Sequence, residues 1–479
     1  MTERPSDPRP APSDTRSPAA HDPATPGPAP HGPAAVARRN AAVRAAVAQG
    51  LVGPGDPLVA LLDVTGIRAG ARALHTAFDR VAAPGTRVLH TFAVKACPLV
   101  AVVRLLRDEG VGAEVASPGE LALARVAGTA AAHTVLDSPA KTPAELREAL
   151  TLGIAVNADG RQELARLDEL VDRVGGHGTR GLPPLGLRVN PQVGAGSIDA
   201  LSTATATAKF GVALRDPGAR DWVVRAFLDR PWLTRLHVHT GSQGVPLELM
   251  AEGVAQTYAL AEEVNARAGR PQVDTVDIGG GLPVDFTSDE RGPGFDAYAG
   301  LLADRVPGLF DGRYGLVTEF GRALVAKHGL VLTRVEYTKS AGGRRIAVTH
   351  AGAQIAARTV YAPEQWPLRI AAYDAQGLPS TGSVEVQDVA GPACFAGDLL
   401  ARGRALPLLA PGDHVAALDT GGYAFAHPYA YNSLPRPAVH GFLIEGAGAR
   451  VRFARVRAAQ TISEVVAESG GAYGEGLLF

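Results

Sequence analysis

Short apolar segments alternate with longer amphipathic segments over residues 65–322, and this alternation is the strongest constraint on the fold. The pattern runs through GARALHTAFDRVAA, TRVLHTFAV, PLVAVVRLLRDEG, GAEVA and GELALARVAG, and it continues to YGLVTEF at 314–320. Short apolar runs predict buried strands, and the helical patterns between them predict parallel βα units. The number of units suits an eight-stranded (β/α)8 TIM barrel, so the predicted fold class is α/β.

The sequence changes character beyond Arg322. Segments rich in β-branched residues, such as GLVLTRVEYT and SVEVQDVA, are separated by Gly and Pro turns, which predicts a mainly β C-terminal domain over 323–479. Before the barrel, a helical stretch and the strand-like PLVALLDV predict an N-terminal segment, 36–64, that joins the β domain. Residues 1–35 are crowded with Pro and Ala and hold few large apolar side chains, so we expect a disordered tail.

Charge and cysteine content narrow the class of partner. The chain has 47 basic and 48 acidic residues, so no net field attracts nucleic acid or an anionic membrane. Only Cys97 and Cys394 occur, and neither an export signal nor a long apolar span is recognisable. We therefore expect a cytoplasmic enzyme that acts on a small molecule.

Two motifs at predicted strand ends carry candidate reactive groups. Lys95 ends the apolar strand HTFAVK, where apolar surroundings would lower the pKa of the amine and favour a Schiff base with an aldehyde. The alternative is a lysine without a chemical role, whose side chain extends from the strand end so that its ammonium group reaches water. HVHTGSQ (237–243) places two histidines on one face before a Gly-Ser turn that can bind phosphate. A pair of core histidines is the alternative, and zinc is disfavoured because no third ligand lies nearby.

Two further motifs follow predicted strands. DIGGGLP (277–283) has three glycines without Cβ atoms, which lets the backbone approach an anion, although a tight turn has the same composition. In TEFGR (318–322), Glu319 could keep a pyridine nitrogen protonated and Arg322 could grip a phosphate. A surface ion pair between these two residues is the alternative.

The β domain contributes two ambiguous motifs. Cys394 in GPACFAGD (391–398) is a candidate proton donor or a small buried apolar residue. Tyr423, which follows two glycines in DTGGYAFAHPYAYNSLPRP (419–437), is a candidate phosphate ligand or a core residue.

Ten motifs, taken in order, resemble those of the fold type III pyridoxal 5'-phosphate (PLP) decarboxylases, which include the diaminopimelate, ornithine and arginine enzymes. The motifs are the strand that ends in Lys95, SPGEL, RVNP, KFG, HVHTGSQ, DIGGGLP, EFGR, GPACFAGD, GGY and YNSLPRP. The resemblance implies an alanine racemase-like barrel with a β domain, PLP as cofactor, an amino acid as substrate, and a homodimer with shared active sites.

The resemblance also implies a role for each matched residue. Lys95 would bind the cofactor covalently, His239 would stack on its ring, and Glu319 would pair with its ring nitrogen. Cys394, from the dimer partner, would deliver a proton after CO2 leaves. The residues that would surround the phosphate are Ser242, Gly280, Gly281, Arg322 and Tyr423.

Departures from the family pattern concern the substrate. Phe395 stands where the diamino-acid enzymes have an acidic residue that meets the distal ammonium, and an unpaired buried ammonium costs several kcal/mol. We therefore predict a substrate with an uncharged side chain, although a cation–π contact would be an alternative for a cationic one. Arg358 and Tyr361 match the residues that bind the substrate carboxylate, with a spacing one residue shorter than usual. Smaller departures are Cys97, Phe320 and His350.

Four alternatives to this function remain at the level of sequence. Diaminopimelate decarboxylase itself shares the whole motif order, and an amino-acid racemase shares the barrel, the lysine and the β domain. A decarboxylase of a carrier-tethered substrate is compatible with Phe395. A non-catalytic regulatory homologue would not need Lys95, Glu319 and Cys394 together.

Overall fold

The computed structural model describes residues 32–173, 181–290, 292–446 and 450–477. Most of the predicted tail, residues 1–31, lies outside these ranges. The first helix, α1 (Gly32–Ala48), begins inside the segment predicted to be tail. Alanine-rich segments form helices readily, and Ala42, Val43 and Ala46 are buried against the second domain, which extends the helix beyond the predicted start.

An eight-stranded barrel of parallel strands follows a strand of the second domain, β1 (Leu58–Asp63). The elements that follow β1 are α2 (Val64–Val81), β2 (Val88–Ala93), α3 (Val100–Asp108), β3 (Gly112–Val115), α4 (Pro118–Ala127), β4 (Thr134–Asp137), α5 (Pro143–Leu152), β5 (Ala155–Ala158), α6 (Arg161–Arg173), β6 (Leu185–Asn190), β7 (Val212–Ala213), α7 (Ala219–Leu228), β8 (Leu233–His237), α8 (Leu247–Ala268), β9 (Thr275–Asp277), α9 (Phe295–Arg305), β10 (Gly315–Phe320) and α10 (Arg322–Val325). Strand β10 pairs with β2 and closes the ring, while the two-residue β7 pairs with β6 alone. The predicted (β/α)8 barrel is confirmed.

Local sequence signals set the ends of the barrel helices. Helix α5 begins with a capping box in which Thr142 and Glu145 satisfy each other's backbone N–H groups, and it ends at Gly153 in the left-handed conformation. Helix α4 begins after Ser117, whose side chain accepts from the Glu120 N–H. Because the eight barrel strands are parallel, their carboxyl ends all lie at one end of the barrel, here called the mouth.

The second domain is a mainly β unit, as the sequence predicts. Its elements are β11 (Gly329–Ala341), β12 (Arg344–Thr349), α11 (Ala353–Tyr361), β13 (Ile370–Tyr373), β14 (Val384–Ala390), β15 (Leu399–Pro407), β16 (His414–Leu418), β17 (Ala438–Glu445), β18 (Arg450–Arg457) and α12 (Ile462–Glu468). The strands run in the order β15-β14-β12-β11-β1-β17-β18, and β16 pairs with β11 and β13. Strand β1 lies antiparallel to β11 and parallel to β17, so the N-terminal segment lies within this sheet.

A loop of the second domain closes over the mouth of the barrel. The backbone N–H of Tyr423 donates to the carbonyl of Ala96, at 2.6 Å, directly beside Lys95. Residues of both domains therefore face the same opening. None of the helices in the described ranges has the length and apolar character needed to cross a membrane.

Candidate active site

Lys95 lies at the mouth of the barrel, beside a buried carboxylate. Strand β2 ends at Ala93, and one 3-10 turn (Val94–Ala96) carries the lysine past the strand end. Its Nζ lies 2.5 Å from Oε2 of Glu114, which is buried at the end of β3, and its side chain is 45% exposed. Burial alone would lower the pKa of Lys95, but the charges of Glu114 and Glu319 outweigh it and raise the pKa.

This environment corrects one prediction. The sequence suggested that Lys95 lies in apolar surroundings that lower its pKa, and that prediction is wrong because Glu114 lies beside the amine and raises its pKa. The acidic partner comes from a neighbouring strand about twenty residues away, so it is absent from the local sequence around the lysine.

Glu319 belongs to a buried polar network inside the barrel. His237 lies between two carboxylates, with Nδ1 at 3.3 Å from Oδ2 of Asp137 and Nε2 at 3.5 Å from Oε2 of Glu319. Burial, followed by the charges of Asp277, Asp137 and Glu114, raises the pKa of Glu319 well above its ordinary value. Oε1 of Glu319 is buried without a hydrogen-bond partner. A hydrogen-bond donor or a cation at this position would satisfy it.

The same three side chains could also meet a small cation. The ligand atoms of Asp137, His237 and Glu319 all lie within 4.8 Å of one another. The sequence analysis predicted no metal, and it assigned no role to Asp137 or His237 in a network with Glu319.

His239 and the triple glycine build the other side of the mouth. Nδ1 of His239 accepts a hydrogen bond from the N–H of Gly280 at 3.1 Å. Burial, together with the charges of Arg188 and Lys95, lowers the pKa of His239 well below its ordinary value, so the ring is neutral. A Cβ on Gly280 would lie 2.1 Å from the Glu319 carbonyl oxygen, so this glycine lets two strand ends approach each other.

Arg322 lies across the mouth without an acidic partner. Its Nη2 donates to Oγ of Ser242 at 3.3 Å, and its guanidinium lies 4.4 Å from the centre of the Tyr423 ring. Within the described ranges no carboxylate forms a salt bridge with it, and its buried Nε has no hydrogen-bond partner. Burial, with the charge of Arg358, lowers its pKa to about 10. Arg322 and Glu319 therefore do not form the surface ion pair that was the alternative.

The residues predicted to meet the substrate form two groups in the second domain. Arg358 lines a cleft with Arg322 and Tyr423, and its guanidinium lies 4.9 Å from the Tyr423 ring. Tyr361, one helical turn later, is 59% exposed and stacks on Phe395 with 5.6 Å between ring centres and 9° between planes. Phe395 is also edge-on to Tyr431.

Cys394 is exposed in the single chain. Its backbone N–H donates to the side-chain oxygen of Asn432 at 2.7 Å, and its carbonyl accepts from the hydroxyl of Tyr431 at 3.4 Å. Cys394 and Phe395 thus lie together on an aromatic surface of the β domain.

The unsatisfied groups at the mouth fit the cofactor that the motifs imply. PLP carries an aldehyde, a ring nitrogen that can be protonated and a phosphate. The buried Oε1 of Glu319 lacks a donor, and the buried Arg322 lacks an anion. An accessible lysine amine completes a set that matches these three groups of PLP, and the fold and site together define a barrel-type PLP enzyme.

Comparisons with known proteins identify the class of reaction. Residues 66–326 match the family described as pyridoxal-dependent decarboxylase, pyridoxal binding domain, and they make up more than half of the chain. Diaminopimelate decarboxylase from Methanothermobacter thermautotrophicus is 32% identical over 80% of this chain and 86% of its own. The enzyme of the same name from Pseudomonas aeruginosa is 32% identical over 78% and 85%. The chain therefore belongs to the PLP-dependent decarboxylases and is a carboxy-lyase.

Solved structures share the fold. Diaminopimelate decarboxylase from M. jannaschii, solved with L-lysine, superposes with a TM-score of 0.77 at 24% identity, over 89% of this chain and 94% of the other. The Helicobacter pylori enzyme, also with L-lysine, gives a TM-score of 0.73 at 23% identity, over 87% and 97%. These likenesses confirm the alanine racemase-like barrel with its β domain.

Sequence reasoning missed the polar residues beneath the mouth. Glu114 and Asp137 are each at or next to the last residue of a short barrel strand, and Arg188 lies near the end of β6. A charged residue at the end of an otherwise apolar run was the available signal, because active sites of barrels lie at the carboxyl ends of the strands.

Proposed function

We propose that this enzyme decarboxylates an amino acid whose side chain carries no distal ammonium. The observation that carries this proposal is Phe395, which stacks on Tyr361 and meets Tyr431 edge-on. By the family resemblance, this position holds an acid that pairs with the distal ammonium of diamino acids. Aromatic rings cannot neutralise that charge, whereas they pack well against an apolar side chain.

The roles of the mouth residues follow from their positions and from the resemblance. Lys95 would bind the aldehyde of the cofactor, and Glu319 would keep a proton on the ring nitrogen. The neutral His239 would contact the ring. When bound, PLP supplies an electron sink for the electron pair that remains when CO2 leaves. The groups that would hold the phosphate are Ser242, Gly280, Gly281, Arg322 and Tyr423.

The substrate is oriented by the second domain. Arg358 binds the α-carboxylate, and Tyr361 and Phe395 line the space for the side chain. Cys394 donates the proton that replaces the carboxylate on the α-carbon. By the family resemblance, Cys394 would serve the active site of a second copy in a homodimer, and its exposure in the single chain leaves it accessible for that role. Two free cysteines suit the reducing cytoplasm.

Diaminopimelate is the second candidate substrate, because relatives with up to 33% identity carry the name diaminopimelate decarboxylase. With this substrate, the stacked pair Tyr361 and Phe395 would contact the distal ammonium through cation–π interactions. The two candidates differ only in the side-chain site and share every other role.

The test is CO2 release by the PLP-loaded protein across neutral L- and D-amino acids, lysine, ornithine and diaminopimelate. Lys95→Ala is the control, and it should lose both CO2 release and the visible absorbance of bound cofactor. Turnover of a neutral amino acid without turnover of diaminopimelate supports the proposal. Preferred turnover of diaminopimelate overturns the substrate assignment. Loss of optical purity without CO2 release would identify a racemase.

A further inference from the structure

His427 links a residue predicted to bind the cofactor phosphate with one predicted to bind the substrate. It lies in the loop between β16 and β17, at an open cleft that Arg322, Arg358 and Tyr423 also line. Its Nδ1 is 2.9 Å from the Tyr423 carbonyl oxygen, and its Nε2 is 2.8 Å from Nη2 of Arg358. One imidazole therefore contacts both residues at once.

These two contacts fix the protonation state of the ring. A carbonyl only accepts hydrogen bonds, so Nδ1 of His427 carries the hydrogen. A guanidinium only donates, so Nε2 offers its lone pair to Arg358. Burial, with the charges of Arg358 and Arg322, lowers the pKa of His427 below its ordinary value of 6.5, although the Tyr423 carbonyl opposes this. The ring is therefore neutral at pH 7, as the geometry requires.

The Arg358 guanidinium is held by neutral groups. It lies 5.0 Å from the Trp366 ring centre and 4.9 Å from that of Tyr423, and within the described ranges no carboxylate forms a salt bridge with it. Its charge is therefore free to meet an anion in the cleft. Aromatic faces restrain the plane of the guanidinium, and among the residues that the structure describes the hydrogen bond to His427 fixes its direction.

The second contact of His427 stabilises a strained backbone. Tyr423 adopts φ 67°, a left-handed conformation that is uncommon for a residue with a side chain. Its N–H is held by Ala96 and its carbonyl by His427, so both sides of the residue are restrained. The Tyr423 ring in turn lies against both arginines.

We infer that His427 is a positioning residue that orients Arg358 toward the α-carboxylate of the substrate. This inference rests on the proposed decarboxylation of an amino acid. It adds His427 to the residues that determine how the substrate carboxylate binds. Protonation of His427 would remove the acceptor from Arg358 and repel its guanidinium, so Arg358 would lose the orientation that the hydrogen bond gives it. Because the inference assigns carboxylate binding to this orientation, binding should weaken as the pH falls through the pKa of His427.

The experiment compares His427→Leu with His427→Gln in the PLP-loaded protein. Glutamine can accept from Arg358 through its amide oxygen and donate to the Tyr423 carbonyl through its amide nitrogen, whereas leucine can do neither. The probes are the amino acid with the highest kcat/KM in the panel and its decarboxylated amine as an inhibitor. Urea denaturation of both variants reports any loss of stability.

We expect His427→Leu to raise the KM of the amino acid about tenfold or more, with kcat within about threefold and amine inhibition unchanged. His427→Gln should restore KM to within about threefold. The rise in KM at acid pH should be present in the wild type and absent from His427→Gln. An unchanged KM in His427→Leu, or an equal loss of amine affinity, would overturn the inference.

Failure of the proposed function is distinguishable from failure of this inference. If the wild type releases CO2 from no amino acid, calorimetric binding of L-norleucine and n-pentylamine to the PLP-loaded protein replaces KM. Weaker binding of norleucine alone in His427→Leu, restored in His427→Gln, still supports the role of His427. Equal binding of norleucine to all three proteins overturns it.

Discussion

The amine of Lys95 lies 2.5 Å from Oε2 of Glu114, a carboxylate buried at the end of the next barrel strand. The charge of Glu114, with that of Glu319, outweighs the effect of burial and raises the pKa of the Lys95 amine. A protonated amine is a poor nucleophile toward an aldehyde. Glu114 therefore stabilises the protonated form of Lys95.

Glu114→Gln should lower the pKa of Lys95 by about one pH unit or more, because it removes the nearest negative charge. The measurement is the rate of Lys95 modification by an amine-reactive reagent at pH 9 in the cofactor-free protein, followed by peptide mass spectrometry, because this rate scales with the fraction of unprotonated amine. Glu148→Gln is the control, because Glu148 is exposed and its ion pair within the described ranges is with Arg125 at 3.5 Å. An unchanged rate in Glu114→Gln would contradict the assignment of Glu114 as the main partner.

The sequence predicted the architecture well because its signals are local. Strand β10 is six buried residues in a row and α5 carries its own capping box, so each element could be recognised without its neighbours. Strands β15 and β18 give weaker signals, since LLARGRALP and RVRFARVR mix charged residues with apolar ones at the edges of the sheet. Edge strands need less burial than central ones, and their apolar pattern is correspondingly weak.

The site was predictable only in part. The order of the motifs identified Lys95, Glu319 and Arg322 as candidates, and the structure places all three at the mouth. The order of the motifs did not indicate that Glu114 pairs with Lys95 or that His427 contacts Arg358. These contacts join residues that are 19 and 69 positions apart in the sequence. Such pairs depend on tertiary packing, and no local pattern encodes them.

Gly280→Ala should destabilise the protein by about 2 kcal/mol, because a Cβ would lie 2.1 Å from the carbonyl oxygen of Glu319 and one of the two backbones must shift. Urea denaturation of the cofactor-free protein measures this loss. Gly300→Ala in α9 is the matched control, since a Cβ there meets no atom within 4 Å and alanine favours the helix. Equal stability of the two variants would show that the strand ends are not tightly packed at Gly280.

Glu319→Gln should stabilise the cofactor-free protein while removing activity. The folded-state pKa of Glu319 is raised by burial and neighbouring acids, so ionisation of this group costs stability as the pH rises above the unfolded value of about 4.3. Glutamine avoids that cost, and the gain should reach about 1 kcal/mol or more at pH 8 and vanish near pH 4. Urea denaturation at both pH values measures it, with Glu148→Gln as the exposed control.

The same variant tests the catalytic role of Glu319. Because the neutral amide cannot hold a proton on the ring nitrogen, kcat of the PLP-loaded Glu319→Gln protein should fall by about 100-fold or more. Cofactor binding, followed by visible absorbance, should persist, since Lys95 and Arg322 are unchanged. Full activity would refute the role, and a loss of stability at pH 8 would refute the raised pKa.

Phe395→Glu should raise kcat/KM for diaminopimelate by about tenfold or more relative to the wild type. The substitution places a carboxylate beside Cys394, where the diamino-acid enzymes have an acid by resemblance, and a partly buried ion pair of this kind contributes more than an exposed one. Phe395→Gln is the matched control, because it introduces a polar side chain of the same length without the charge. Both variants lose the stacking on Tyr361, so any difference between them reports charge alone. A gain in Phe395→Glu with none in Phe395→Gln would assign the discrimination to the missing charge. Equal kcat/KM values for diaminopimelate in the two variants would mean that residue 395 does not contact the distal end of the substrate. The substrate assignment would then lose the observation on which it rests.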